Sequence, residues 1–202
     1  MTGLQGPLPL SSPMSAGDFI PAPAAWFALL RQHPELDPAE NAFAPMRLTV
    51  GQAAQLVKVN KEINAAIHYR NDTGRDLWEI GSKEGDCEDY AIRKLAELTG
   101  EHGFPRGALT LAACRLDGGR GHAVLLVHSD KGVYVMDNLS PWVLPWHRLP
   151  YGWVAREEPG APFRLWRDLR SQACTRKSPT LSAAASGVVS CRHRRAPSRG
   201  RG

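Results

Sequence analysis

The hexapeptide GDCEDY, residues 85–90, marks the point where a loop ends and a helix begins. From Cys87 to about Thr99 the apolar residues recur at helical spacing, which predicts a helix with one buried stripe. Asp86 is a suitable N-cap residue, and Asp89 stands at the position of a capping-box partner. We therefore expect the helix to begin directly at Cys87.

A cysteine in the first turn of a helix is in an environment that favours its thiolate. The unpaired backbone N–H groups and the positive end of the helix dipole stabilise the anion, which is the form that attacks carbonyl groups. The neighbouring carboxylates of Asp86, Glu88 and Asp89 oppose this effect unless a cation, basic side chains or capping hydrogen bonds compensate. The hexapeptide alone is compatible with a nucleophile and with a plain helix-start cysteine.

After this helix the sequence changes to the alternating pattern of β-strands. Strands are predicted at 109–116, 122–128 and 132–137, with turn residues at 118–119 and 130–131. If residues 129–132 form the second turn, His122 and Asp137 lie diagonally on one face of the hairpin, where an imidazole can meet a carboxylate. Each residue also has a common structural alternative, a strand-start histidine bonded to backbone and a turn aspartate at the end of a strand.

A second helix precedes the hexapeptide. Thr49 and Gln52 resemble a capping box at the start of a helix that runs to about Arg70. A short apolar helix or turn is predicted over 25–31, and a further strand near 152–156. Helices followed by an antiparallel meander indicate an α+β domain.

The chain has 202 residues and a mass of 22.1 kDa, with 43% hydrophobic and 22% charged residues, which is typical of one globular domain with an unstructured end. Its formal net charge of +5 arises at that end, because residues 170–202 contain eight basic residues and no acidic one. We expect a flexible leader over 1–24, a folded domain over 25–169 and a basic disordered tail over 170–202. The basicity therefore does not indicate a specific nucleic-acid ligand for the domain.

Several classes of protein are excluded by the same inspection. No stretch approaches the roughly 18 apolar residues of a membrane-spanning helix. The leader does not resemble a secretory signal, so the sequence as it stands indicates a cytoplasmic location, or a periplasmic one if a signal is missing from it. The four cysteines form no CxxC pair, which argues against a zinc ribbon and a disulfide-rich module. We expect Cys114 in the core, and Cys174 and Cys191 as free thiols in the tail.

Four segments together resemble the bacterial transglutaminase-like cysteine proteinases. They are VNKEIN (59–64), the stretch 78–94 that contains GDCEDYA, GRGHAVLLV (119–127) and VYVMDN (133–138). The resemblance covers about residues 40–166 and implies a papain-like or transglutaminase-like core, in which a helix carrying the cysteine packs on an antiparallel sheet. It also implies that Cys87 is the nucleophile, His122 the general base and acid, and Asp137 the residue that orients the imidazole.

The resemblance further implies a metal and a kind of substrate. The acidic ligands beside the nucleophile in the family match Asp86 and Glu88, and their hard carboxylate oxygens suit Ca²⁺. Asp89 is less suited, since it can be occupied as a helix cap. The best-known members of the family are periplasmic, calcium-dependent proteases that cut surface adhesins, so a protein or peptide is the expected substrate.

We expect a thiol peptidase or amidase that forms an acyl-enzyme, with the N–H groups of the Cys87 backbone and the Trp78 indole as candidate oxyanion donors. Two alternatives remain open. One is a transglutaminase-type acyltransferase that delivers an amine instead of water, and the other is a catalytically idle module that binds a peptide. Three tryptophans follow the third predicted strand, namely Trp142, Trp146 and Trp153. They either line a substrate groove or pack over the edge of the sheet. The oligomeric state is left open.

Overall fold

The computed structural model describes residues 8–37, 45–72, 77–160 and 165–170. Its helices are α1 (Ala24–Gln32), α2 (Val50–Ala66) and α3 (Cys87–Gly100). Its strands are β1 (Phe19–Ile20), β2 (His68–Tyr69), β3 (Glu84–Gly85), β4 (Leu109–Arg115), β5 (Gly121–Ser129), β6 (Gly132–Met136), β7 (Leu144–Pro145), β8 (Gly152–Glu157) and β9 (Trp166–Asp168). The predicted α+β class is confirmed. The predicted tail after Arg170, with Cys174 and Cys191, lies outside the described residues.

Seven strands form one antiparallel sheet in the order β1-β9-β8-β4-β5-β6-β7, and β2 and β3 form a separate parallel pair. The β5–β6 hairpin has the predicted register, in which Ser129 pairs with Gly132 and Leu125 with Met136. Gly132 has a φ of +102°, a conformation that L side chains rarely adopt, so the turn needs glycine there. This register places the start of β5 beside the residues that follow β6.

Both long helices begin where the sequence predicts. The side chain of Thr49 accepts from the N–H of Gln52 over 3.2 Å, and Gln52 Oε1 accepts from the N–H of Thr49 over 3.0 Å, which completes the capping box. Helix α2 ends at Ala66, before the predicted end at Arg70, because the chain then pairs as β2 with β3. No helix in the described part of the chain is long and apolar enough to cross a membrane.

The sheet has a hydrophobic core on each face. Leu125 and Val127 of β5 pack in the core that contains the helices, whereas Val124 and Leu126 pack in a second core. This alternation follows from the pleat of a strand, in which successive side chains point to opposite faces. The helices therefore cover one face of β5, and the opposite face carries the side chains of even number.

Residues 8–24 do not form a loose leader, which corrects the prediction for the part of it that the structure describes. The carbonyl of Ser12 accepts from the N–H of Val133 over 3.1 Å, and β1 pairs with β9. Met14 is buried in the second core. Prolines keep this segment out of a helix, so its backbone groups are left to bond the sheet and its apolar side chains cover the sheet surface.

Candidate active site

Cys87 is the first residue of α3, and one aspartate fixes the turn before it. Asp89 Oδ1 accepts from the N–H of Glu79 over 2.9 Å, and Asp89 Oδ2 accepts from the N–H of Asp86 over 3.2 Å. Burial raises the pKa of the Asp89 carboxyl to about 6, although both backbone hydrogen bonds oppose this change. Asp89 thus joins the incoming loop to the start of the helix, and both of its oxygens are occupied in doing so.

The Cys87 thiol is half-buried and donates a hydrogen bond to Glu88 Oε2 over 3.0 Å. Burial raises the pKa of this thiol far above its ordinary value, and the charge and hydrogen bond of Glu88 and the charge of Asp86 act in the same direction. A backbone hydrogen bond from Ala123 acts against them. The thiol is therefore protonated in this structure, and a base or an added positive charge is needed to make it a nucleophile.

His122 and Asp137 meet as the predicted register requires. Nε2 of His122 lies 2.9 Å from Oδ1 of Asp137, and both side chains are buried. Burial acts to raise the pKa of Asp137, but its hydrogen bond with His122, the charge of that residue and two further donors hold the pKa below its ordinary value. An ionised carboxylate accepts the Nε2 proton, which leaves Nδ1 of His122 as the basic nitrogen.

The two further donors to Asp137 are the N–H of Leu139, 2.9 Å from Oδ1, and the hydroxyl of Tyr151, 2.5 Å from Oδ2. Tyr151 was not among the residues predicted for the site. This residue precedes β8 and belongs to none of the motifs, so no spacing rule relates it to Asp137. With it, every oxygen of the carboxylate has a donor.

Cys87 and His122 line one pocket of about 320 Å³ at the start of β5. His122 shares its face of the strand with Val124, whereas α3 packs against the other face. Both side chains therefore line the pocket where the strand begins, away from the surface that the helix covers. The remaining lining residues are Tyr69, Asn71, Trp78, Asp86, Glu88, Arg120, Gly121 and Ala123.

The predicted metal ligands lie together beside the thiol. Asp86, Cys87 and Glu88 each offer a donor atom, and these atoms all lie within 4.8 Å of one another. Both carboxylates are buried, each with 8% exposure. Carboxylate oxygens are the ligands that Ca²⁺ prefers, whereas a thiol is a soft ligand that it does not. Asp86 and Glu88 thus fit a calcium ion chemically, with further oxygen ligands supplied by backbone or water.

The remaining predicted residues pack away from this pocket. Trp146 and Trp153 are buried in the second core, with ring centroids 6.2 Å apart, and Trp142 lies on the surface beneath the Lys61 ammonium group. None of the three is among the residues that line the pocket of Cys87, so the structure favours the packing alternative. Cys114 is buried in β4, as predicted.

A thiol at a helix N-terminus beside a buried His–Asp pair is typical of thiol enzymes with a papain-like or transglutaminase-like core. The sequence profile of one family, the bacterial transglutaminase-like cysteine proteinases, matches residues 17–173. The chain belongs to this family of cysteine peptidases, and the resemblance seen in its motifs is confirmed.

Three solved structures of LapG from Legionella pneumophila also match the chain. The EGTA-treated structure is 27% identical, with 50% of this chain and 61% of that chain covered and a TM-score of 0.44. A second LapG structure is 25% identical, with coverages of 61% and 72% and a TM-score of 0.48. The calcium-bound structure is 23% identical, with coverages of 79% and 83% and a TM-score of 0.48. The chain thus spans less than two thirds of the first of these. Comparison with curated protein sequences gives no match.

Proposed function

We propose that this protein is a thiol peptidase or amidase that cleaves a peptide or amide bond through Cys87, His122 and Asp137. The observation that carries the proposal is the 2.9 Å contact between His122 Nε2 and Asp137 Oδ1, next to a thiol in the same pocket. This contact orients the imidazole so that Nδ1 is the nitrogen that exchanges protons with Cys87. A histidine kept only for packing has no need of a buried carboxylate partner.

The proposed reaction has two steps. Nδ1 of His122 accepts the thiol proton while the sulfur of Cys87 forms a bond to the substrate carbonyl carbon. The imidazolium then gives that proton to the leaving amine as the C–N bond breaks, which leaves a thioester on Cys87. Water attacks the thioester with His122 as the base, and a carboxylic acid and the free thiol are released.

Two N–H groups are the candidate donors to the oxyanion. The backbone N–H of Cys87 is at the first position of α3, where a helix supplies no acceptor of its own. The indole Nε1 of Trp78 is buried, has no hydrogen-bond partner in the described ranges, and belongs to a residue that lines the pocket. An unpaired donor on a residue that lines the pocket is the second candidate for the oxyanion.

Labelling with iodoacetamide, read by intact mass, tests the nucleophile. We expect one fast label on the native protein, its loss in Cys87→Ala, and a rate about tenfold or more lower in His122→Ala. Cys114→Ser is the matched control, because it removes a buried thiol outside the pocket and leaves the fast label in place. Equally fast labelling of another cysteine in the native protein contradicts the assignment.

Digestion of an N-blocked peptide library, read by mass spectrometry, tests the reaction itself. Hydrolysis that is lost in Cys87→Ala supports the peptidase. Products that carry an added amine, such as dansyl cadaverine, instead of a new carboxylate indicate the acyltransferase. A reactive Cys87 without any turnover indicates the peptide-binding module.

We also infer that Asp86 and Glu88 bind a calcium ion. Both carboxylates are buried beside the thiol whose pKa they raise, so a cation at this position offsets their charge. When bound, the ion supplies positive charge next to the sulfur. Without the ion the thiol donates to Glu88 Oε2. With Glu88 bound to the ion, His122 would be the base for the thiol proton.

Calorimetric titration with calcium chloride tests this inference without reference to activity. We expect binding that disappears in Asp86→Asn and in Glu88→Gln. Glu84→Gln is the control, because Glu84 is an exposed carboxylate on the neighbouring strand β3 that pairs with Arg70. Unchanged binding in Asp86→Asn and Glu88→Gln shows that any calcium site lies elsewhere.

A further inference from the structure

The segment VNKEIN (59–64) lies near the end of α2 and contributes no residue to the proposed triad. Its Ile63 is buried in the core that contains the helices. Asn60 and Asn64 stand four positions apart, so they lie one above the other on the same side of the helix. This side contacts the loop 137–143, which connects β6 to β7. The segment therefore joins α2 to the part of the chain that carries Asp137.

The amide of Asn64 bridges two carbonyl groups of this loop. Its Nδ2 donates to the carbonyl of Asp137 over 2.8 Å and to the carbonyl of Ser140 over 3.1 Å. An amide nitrogen carries two hydrogens, so both hydrogen bonds can form at once. Asn64 thus connects the residue that contacts His122 to the far side of the turn that follows it.

Asn60 holds the same turn from the preceding turn of the helix. Its Nδ2 donates to the Ser140 carbonyl over 2.8 Å. Asn60 is fully buried, and its Oδ1 has no donor among the residues that the structure describes. Burial of an amide costs free energy that its hydrogen bonds must offset, and an apolar side chain would fill the space without that cost. The hydrogen bond to the loop, and not packing, therefore accounts for an amide at this position.

The backbone of Asp137 lies just beyond the support of the sheet. The pairing of β5 with β6 ends at Leu125 and Met136, so Asp137 is the first residue after the last pair. Its Oδ1 is 2.9 Å from His122 Nε2 and also accepts from the N–H of Leu139 in the same turn. A displacement of this turn would therefore move the carboxylate relative to the imidazole.

We propose that Asn64 is a positioning residue, whose amide holds the backbone of Asp137 so that the carboxylate meets His122, and that Asn60 supports the same turn at Ser140. Neither asparagine lines the pocket of Cys87, so both act through Asp137 and not on the substrate. The consequence for the reactivity of Cys87 rests on the proposed function, whereas the consequence for the contact between His122 and Asp137 does not.

Asn64→Leu tests the proposal, because leucine has nearly the same branched shape and lacks both donors. Asn64 is half-buried, so an apolar side chain is tolerated there. The direct measurement is the exchange with water of the His122 Nε2 proton, observed by proton NMR and assigned by its loss in His122→Ala. We expect this exchange to be about tenfold or more faster in Asn64→Leu, and labelling of Cys87 by iodoacetamide to be about three- to tenfold slower.

Gln55→Leu is the matched control. Gln55 is on the same helix, and its amide contacts His102 Nε2 over 3.1 Å, away from the loop. This variant should leave the exchange of the His122 proton and the labelling rate within a factor of about two of the native values. Asn64→Ala takes the place of Asn64→Leu if the leucine variant is poorly folded, and the same two changes are expected of it.

The backbone N–H of Leu126, in the middle of β5, separates positioning from stability because its exchange reports global unfolding. Equal acceleration at Leu126 and His122 would mean that Asn64 acts only through stability, which overturns the proposal. Exchange of the His122 proton at the native rate in Asn64→Leu and Asn64→Ala also overturns it. Absence of fast labelling of Cys87 in the native protein contradicts the proposed function instead, and the His122 proton then decides the role of Asn64 by itself.

Discussion

The hydroxyl of Tyr151 donates a hydrogen bond to Oδ2 of Asp137 over 2.5 Å, while His122 contacts the other oxygen of the same carboxylate. The Tyr151 ring also stands edge-on to the His122 imidazole, with ring centroids 5.9 Å apart. Burial, together with the hydrogen bond and charge of Asp137, raises the pKa of Tyr151, so its hydroxyl remains a donor. One side chain therefore restrains both members of the His–Asp pair.

Tyr151→Phe keeps the ring and removes this hydrogen bond. The pKa of Asp137 should rise, because one of the donors that hold it down is lost. We expect labelling of Cys87 by iodoacetamide to be about three- to tenfold slower at neutral pH, which corresponds to about 0.6–1.4 kcal/mol, the usual net contribution of one hydrogen bond. The pH below which labelling declines should also move upward, and a series of labelling rates between pH 4 and 8 measures both effects.

Tyr134→Phe is the matched control for this prediction. Tyr134 is also buried, and its hydroxyl donates to the carbonyl of Pro9 over 2.9 Å, away from Asp137. Its loss should change stability but not the pH profile of labelling. Equal slowing in both variants would mean that Tyr151 acts through general stability and has no specific part in positioning Asp137.

The contact between His122 and Asp137 was predictable because it depends on local geometry. A tight turn at 129–132 fixes which residues of β5 and β6 pair with each other. The alternation of side chains along each strand then puts His122 and Asp137 on the same face of the hairpin. Helix starts at Thr49 and Cys87 were predictable for the same reason, since capping depends on residues three positions apart.

Contacts between distant parts of the chain were not predictable from such rules. β1 pairs with β9 although most of the sequence separates them, and residues around Ser12 bond to β6. Tyr151 directly precedes β8, and its contact with Asp137 depends on how the connecting loops pack in three dimensions. Composition indicated a loose leader over residues 1–24, but composition does not report which sheet edge is free to accept an extended segment.

Gly85→Ala should destabilise the start of α3. A Cβ at this position would lie 2.7 Å from both Cβ and Oδ2 of Asp89, so the side chain that holds the helix start must move. We expect the free energy of unfolding to fall by roughly 1–3 kcal/mol, in the range of overpacked sites. Urea denaturation measures the loss, and Cys87 labelling should change with it because the same aspartate fixes the turn before the thiol.

Gly51→Ala is the control for that substitution. Gly51 lies in α2, and a Cβ there meets no atom within 4 Å. Alanine is the better helix former, so this variant should be more stable by about 0.5–1 kcal/mol. A Gly85→Ala protein as stable as the native one shows that Asp89 is not needed in its present position.

Lys94 is fully buried in α3, and its Nζ has no hydrogen-bond partner among the residues that the structure describes. The Tyr90 ring lies 6.0 Å away. Burial lowers the pKa of Lys94 to about 7, although the charge of Asp137 acts to raise it. A buried amine of this kind destabilises the folded state whenever it must carry its proton.

Lys94→Met, which keeps the length of the side chain and removes the charge, should therefore stabilise the protein in a pH-dependent way. In the unfolded chain Lys94 keeps its proton up to about pH 10.5, whereas in the folded protein it loses it near pH 7. Between these values the unfolded state binds more protons, so native stability rises with pH, and the destabilisation by the buried charge is complete only below pH 7. The gain from methionine should reach roughly 2–4 kcal/mol at pH 6 and shrink steadily towards pH 10, as measured by urea denaturation across that range. Lys58→Met is the control, because Lys58 is at an exposed position of α2, and its stability gain should not vary with pH in this way. A gain in Lys94→Met that is constant with pH would falsify the assignment of Lys94 as a buried amine that titrates near pH 7.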